Sequence, residues 1–134
     1  ALGVSFLNRL DLTQVGMMGH SRGGEGVRAA YNQYRAGGSP WPARVVSPVN
    51  FRAIFELAPV DGQNATTVNA DSTKWAVILP MCDGDVSTLQ GIRPFDRMVT
   101  LLTETTPTLK SSLTVFGANH NYYNTEWQQA ESAS

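Results

Sequence analysis

A serine set between two glycines is the first feature of this sequence that could do chemistry. Residues 19–23 read Gly-His-Ser-Arg-Gly, and the apolar run 15–18 comes directly before them. A G-x-S-x-G turn between a strand and a helix strains the backbone and projects the serine Oγ away from the sheet. We expect small residues at both glycine positions, because side chains there would collide with the neighbouring strand and helix. Ser21 is the candidate nucleophile, and a glycine-rich turn with an incidental serine is the alternative.

Carboxylates follow two later apolar runs. Asp83 and Asp85 come after the run 75–81, and Asp61 comes after the run 51–58. A carboxylate one loop away from the serine would hold a histidine in the right tautomer and stabilise its imidazolium form. We expect Asp85 to take this role, because Asp-Gly is a common turn pair and Asp83 suits a turn. Asp83 remains the alternative acid, and Asp61 is a third candidate that we expect to cap a turn.

A histidine, His120, follows the last apolar run, 113–116. A histidine in this loop can swing over the end of the sheet toward the serine and act as its base. The order serine, aspartate, histidine along the chain is the order of the α/β-hydrolase triad. The second histidine, His20, lies beside the nucleophile, and we expect it to line the pocket or to pack. The other candidate pocket residues follow or precede His120 and are Asn119, Tyr122 and Tyr123.

Apolar runs that alternate with helical spacing predict the elements that position these residues. Four buried strands are expected at residues 15–18, 51–58, 75–81 and 113–116. Helices are expected at residues 1–10, from Arg22 to the glycines at 37–38, and around residues 95–102. Loops are expected at residues 39–48 and 63–73, with a short polar tail from Trp127.

This alternation predicts the α/β class, with a parallel sheet of about four strands covered by helices on both faces. Right-handed crossovers would place the strands side by side. Ligands of such sheets bind at the carboxyl ends of the strands. Each candidate catalytic residue follows one of the predicted strands, so the topology gathers them at one edge.

Composition narrows the class of protein further. The chain has 134 residues and a net charge of −1 with the signs interspersed, which predicts one domain and no nucleic-acid partner. No apolar run approaches the roughly 18 residues of a membrane span. The single cysteine, Cys82, leaves the redox compartment open, and we expect it to pack at the end of a strand. Residues 1–10 lack the basic region of a signal peptide and look like the middle of a protein.

Three motifs together resemble the C-terminal half to two-thirds of the α/β-hydrolase family. They are GHSRGGEG at residues 19–26, CDGDV at 82–86 and GANH at 117–120. The serine motif is also similar to those of dienelactone hydrolases, lipases and polyester hydrolases. The resemblance implies hydrolysis of small-molecule carboxylic esters, with short or modest acyl groups, through an acyl-enzyme and without a metal or organic cofactor.

In that chemistry each candidate residue has one role. Ser21 attacks, His120 acts as base and then acid, and Asp85 orients the histidine. The backbone N–H of Arg22, at the positive end of the helix behind the serine, holds the oxyanion.

The sequence departs from the family because the strands that normally precede the serine strand are missing from residues 1–134. The loop that would donate the second oxyanion N–H is missing with them, and losing one such donor costs about 2.7–4 kcal/mol in the barrier. The serine strand is expected at or near an edge of the sheet, which favours association. We expect a homo-oligomer or a missing N-terminal half to supply the cover. The alternative function is a non-catalytic binding or assembly module derived from a hydrolase.

Overall fold

Four parallel strands form one sheet in the computed structural model, which describes residues 3–45, 47–62, 73–97 and 109–124. The strands lie side by side in the order of the sequence: β1 (Val15–His20), β2 (Phe51–Leu57), β3 (Lys74–Pro80) and β4 (Lys110–Val115). Helix α1 (Arg22–Arg35) follows β1, helix α2 (Thr88–Arg97) follows β3, and a short 3₁₀ turn spans Pro42–Arg44. The predicted α/β class, the parallel strands and their order are confirmed.

The core lies between α1 and the middle of the sheet. Tyr31 of α1 packs on Ile54 of β2 and Trp75 of β3, and all three are 1% exposed. The rings of Tyr31 and Trp75 meet edge to face, with their centroids 5.9 Å apart. A fully buried large apolar side chain contributes about 1.5–3 kcal/mol, so this cluster is a main attachment of α1 to the sheet.

Both described helices pack on the same face of the sheet. A Cβ built on Gly91 of α2 would lie 2.2 Å from Leu79 Cδ2, so α2 approaches β3 closely. Leu79 and Trp75 are four residues apart on one strand and therefore point to the same face. The expectation of helices on both faces is not met among the described residues.

The opposite face of the sheet carries apolar side chains that remain accessible. Met18 of β1 pairs with Phe55 of β2, and Ile78 of β3 pairs with Leu113 of β4. Met18 is 68% exposed and Leu113 is 57% exposed. Strand β1 is an edge of the described sheet, as the sequence predicts.

The helix predicted at residues 1–10 is wrong for the part that is described. Residues 3–10 form turns and irregular chain, with Asn8 in the left-handed region at φ 58°. The helical spacing depended on Leu2, which lies outside the described residues, and on three side chains that are between 60% and 74% exposed: Phe6, Leu7 and Leu10. So short a helix is marginal without a surface to bury its apolar side, and these side chains find none.

The remaining boundaries differ in detail. Helix α2 begins at Thr88, ahead of the expected stretch. The sequence pattern missed this start because Gly91 and Pro94 interrupt the helical spacing. Residues 98–102 of that expected helix, the loop at 63–72 and the tail from Trp127 lie outside the described residues. Within the described ranges, none of the helices has the length and apolar content needed to cross a membrane.

Candidate active site

Ser21 occupies a strained turn between β1 and α1. Its backbone lies in the left-handed region, with φ 57° and ψ −124°, which is uncommon for a residue with a side chain. Strain of this kind persists where surrounding contacts fix the backbone. Serine is a preferred residue for capping a helix N-terminus, yet the Ser21 side chain makes no cap hydrogen bond to α1. Its Oγ is therefore not used to hold the helix.

Packing requires the motif glycine before Ser21, Gly19, but not the motif glycine after it, Gly23. A Cβ on Gly19 would lie 2.1 Å from the carbonyl oxygen of Gly23, which the backbone cannot relieve. A Cβ on Gly23 would meet nothing within 4 Å, so the expectation of a collision there is wrong. The crowded position after the serine is Gly24, whose Cβ would lie 2.6 Å from Pro59 Cβ. The backbone of α1 therefore approaches Gly19 at Gly23 and approaches the segment after β2 at Gly24.

Arg22 is the first residue of α1, so its N–H has no partner within the helix. The positive end of the helix dipole favours an anion at this point. The side chain of Arg22 is exposed, so we expect the backbone N–H rather than the guanidinium to bind an oxyanion. Arg22 as the oxyanion donor remains a prediction.

His120 and Asp83 form a buried pair at the carboxyl ends of the strands. The Nδ1 atom of His120 lies 2.8 Å from Asp83 Oδ2, and their side chains are 5% and 1% exposed. Because a carboxylate only accepts, Nδ1 carries the proton. In the neutral ring Nε2 is then the acceptor, which is the tautomer a general base requires.

The prediction that Asp85 orients the histidine is therefore wrong, and the alternative acid takes that position. Asp85 is 71% exposed, and its Oδ2 lies 3.6 Å from the opposite ring nitrogen, His120 Nε2. The other oxygen of Asp83, Oδ1, accepts hydrogen bonds from the backbone N–H groups of Asp85 and Val86, at 2.9 and 2.7 Å. Asp83 thus forms the turn and contacts the histidine with the same carboxylate.

Within the described residues, the Asp61 carboxylate does not contact His120, and its expected role in capping a turn stays a prediction because residues 63–72 lie outside them. It forms a two-point ion pair with Arg97 of α2, at 3.1 and 2.5 Å. The hydrogen bond from Arg97 lowers the pKa of Asp61 below its usual value. This pair fastens the segment after β2 to α2.

His20, at the serine turn, contacts the loop after β4 that carries the candidate base His120. The Nε2 atom of His20 donates to the backbone carbonyl of His120 at 2.8 Å, and the two rings lie 4.5 Å apart. This contact confirms that the loop after β4 crosses the sheet toward β1. It places the backbone of His120 against His20, the residue that precedes Ser21. His20 therefore packs against this loop, and its lining of a pocket stays a prediction.

The remaining candidate pocket residues lie in the same loop. The carbonyl of Asn119 accepts the N–H of Tyr122 at 3.2 Å, and Tyr122 is 62% exposed. Tyr123 packs edge-on against Tyr122, and burial raises the pKa of its hydroxyl. Cys82, expected to pack, is instead exposed beside Asp83.

Sequence reasoning missed a buried ion pair beneath the turn, between Arg28 of α1 and Glu56 of β2. A signal for it exists in the helix. Gly24, Arg28 and Tyr31 are spaced four and three residues apart, which puts the arginine on the buried face of α1. A charged residue at that position requires a buried partner of opposite charge.

Searches with this chain against protein-family models, curated proteins and solved structures each returned no significant match.

Proposed function

We propose that this chain is a serine hydrolase that cleaves carboxylic esters with short or modest acyl groups through an acyl-enzyme. The observation that carries the proposal is the buried Asp83–His120 pair, 2.8 Å apart, brought beside the strained Ser21 turn by His20. A strained serine, an oriented histidine and a helix N-terminus at one place are the parts that acyl transfer needs. The residues expected from the resemblance keep their roles, except that Asp83 replaces Asp85.

The reaction proceeds in two steps. Ser21 Oγ attacks the ester carbonyl carbon while its proton passes to His120 Nε2, and the Arg22 N–H binds the developing oxyanion. The tetrahedral intermediate collapses, the alcohol leaves with the proton from His120, and the acyl group remains on Ser21. Water then attacks the acyl-enzyme with His120 as base, which releases the acid and restores the serine.

The direct test of this proposal is ester hydrolysis by matched variants. Ser21→Ala and His120→Ala should each lower the hydrolysis of short p-nitrophenyl esters by about 10³-fold or more, because triad residues act as a unit. Leu89→Ala, an exposed position on α2, serves as the control and should retain wild-type activity. Equal activity in wild type and Ser21→Ala would contradict the assignment.

The accessible sheet face favours a second candidate, a binding or assembly module. Met18 and Leu113 are more than half exposed on that face, and exposed apolar patches mark interaction surfaces. A folded wild-type protein that associates but hydrolyses no ester would support this candidate.

A further inference from the structure

A buried ion pair lies beneath the serine turn and takes no part in the proposed reaction. Arg28 Nη1 donates to Glu56 Oε1, and the two residues are 3% and 2% exposed. Burial raises the pKa of Glu56 even though the Arg28 guanidinium opposes that shift. Buried ion pairs contribute little net stability compared with apolar residues of the same volume. Net stability therefore does not explain why Arg28 and Glu56 are buried at this point of the fold.

Each member of the pair has a second partner. The indole Nε1–H of Trp75 donates to Glu56 Oε2 at 2.8 Å, which fixes the carboxylate against β3. The second guanidinium nitrogen of Arg28, Nη2, donates to the backbone carbonyl of Val60 at 2.5 Å. The guanidinium thus links the sheet to the segment that follows β2.

The last residue of β2 and the segment after it hold the Ser21 backbone from both sides. The N–H of Ser21 donates to the Leu57 carbonyl at 2.9 Å, and the N–H of Val60 donates to the Ser21 carbonyl at 3.1 Å. Between them, Ala58 also lies in the left-handed region, at φ 43°. Two adjacent strained turns are therefore joined by these hydrogen bonds, and Arg28 holds the far end of the second turn.

We propose that Arg28, held by Glu56, is a positioning residue for the nucleophile. It fixes Val60 against the Ser21 carbonyl and so maintains the backbone conformation that presents the Ser21 hydroxyl and the Arg22 N–H. Lysine cannot replace it, because only the planar guanidinium offers fixed donors to two separate acceptors at once. The expected effect of Arg28 on the rate of ester hydrolysis rests on the proposed function. Its expected effect on the backbone at Val60 and Ser21 does not.

The first test measures the backbone directly by amide hydrogen exchange. In Arg28→Met and Arg28→Lys the Val60 N–H should exchange about tenfold faster or more than in wild type, as expected for losing a hydrogen bond from a charged group. The amides of β3 should keep their wild-type exchange. Arg35→Met, which changes an arginine at the other end of α1, is the matched control and should leave Val60 unchanged.

The second test measures ester hydrolysis. Both Arg28 variants should lower kcat by about 10-fold or more while KM stays near wild type, because the backbone that binds the transition state is displaced. Unchanged Val60 exchange in a folded Arg28 variant would overturn the proposal, as would full kcat in Arg28→Lys. If Arg28→Met does not fold, Arg28→Lys decides alone. A wild type without esterase activity overturns the proposed function only, and the exchange measurement still decides this one.

Discussion

The Asp83 carboxylate both forms a turn and contacts His120, two roles that the sequence presents as alternatives. Its Oδ1 accepts two backbone N–H groups of the turn, and its Oδ2 accepts Nδ1–H of His120. The turn therefore holds the carboxylate in place for the histidine. An Asp-Gly pair that suits a turn is thus no argument against a catalytic role, because a carboxylate has more than one acceptor oxygen.

Asp83→Asn should lower kcat by up to about 10⁴-fold and leave the fold intact. The new amide oxygen can still accept the turn N–H groups, but an amide nitrogen facing His120 forces the wrong tautomer. Steady-state hydrolysis of a p-nitrophenyl ester measures the effect.

Asp85→Asn is the matched control, because it makes the same change two residues away at a side chain that is 71% exposed. It should change kcat by less than about tenfold, since exposed charge pairs contribute little. A larger loss in Asp85→Asn than in Asp83→Asn would restore Asp85 as the orienting acid.

The site shows which parts of such chemistry a sequence can reveal. Ser21 and His120 each follow an apolar strand, so the topology alone predicted the edge of the sheet at which both lie. Asp83 could not be distinguished from Asp85, since both follow the same strand and only the three-dimensional turn separates them. The Arg28 contact with Glu56 joins distant positions, and no local pattern links them.

Two glycines of the serine motif should respond in opposite ways to alanine. Gly19→Ala should abolish folding or activity, because its Cβ would lie 2.1 Å from a backbone oxygen. Gly23→Ala should stabilise the protein by about 0.5–1 kcal/mol, since its Cβ meets nothing and alanine favours the helix. Thermal unfolding of both variants is the measurement, and a destabilised Gly23→Ala would contradict the geometry of the turn.

At the scale of elements, a sequence pattern predicted the observed element where its apolar side chains are buried. The continuous apolar run in β3 became the most buried strand, with Trp75, Val77 and Leu79 each 1% exposed. The apolar spacing of residues 3–10 formed no helix, and the apolar side chains there remain exposed. A periodic pattern predicts an element only when the rest of the fold offers its apolar face a partner.

The ion pair between Asp61 and Arg97 should make the attachment of α2 dependent on pH. The pKa of Asp61 is lowered from 3.8, so the folded state binds fewer protons than the unfolded state. Its stabilising contribution is therefore present above that value and is lost as the pH falls through the lowered pKa.

Comparison of wild type with Arg97→Met tests this linkage. The wild type should have the higher Tm at neutral pH, and the difference should shrink as the pH falls below the usual aspartate pKa of 3.8. A difference in Tm that stays constant over this range would show that Asp61 and Arg97 are not coupled in solution.

At the scale of the whole molecule, the sheet is covered unevenly. Both described helices lie on one face, and the other face exposes Met18 and Leu113. Apolar burial contributes roughly 25 cal/mol per Å², which is appreciable against a typical net stability of about 5–15 kcal/mol. We therefore expect that burial of this face favours association.

We expect the chain to associate at micromolar concentration, as sedimentation equilibrium would measure. Met18→Lys combined with Leu113→Lys should shift the protein to monomer, because charges on the accessible face oppose its burial. Leu89→Lys, at a position 61% exposed on α2, should leave association unchanged. A stable wild-type monomer with full esterase activity would refute the association argument.

The most direct test of the central claim is covalent labelling of the serine by a fluorophosphonate. The proposed site predicts one phosphonylated peptide, identified by mass spectrometry as the one that contains Ser21. Labelling should be lost in Ser21→Ala and slowed strongly in His120→Ala, because the histidine activates the hydroxyl. A folded wild-type protein that is not labelled, or that is labelled equally after Ser21→Ala, would contradict the account.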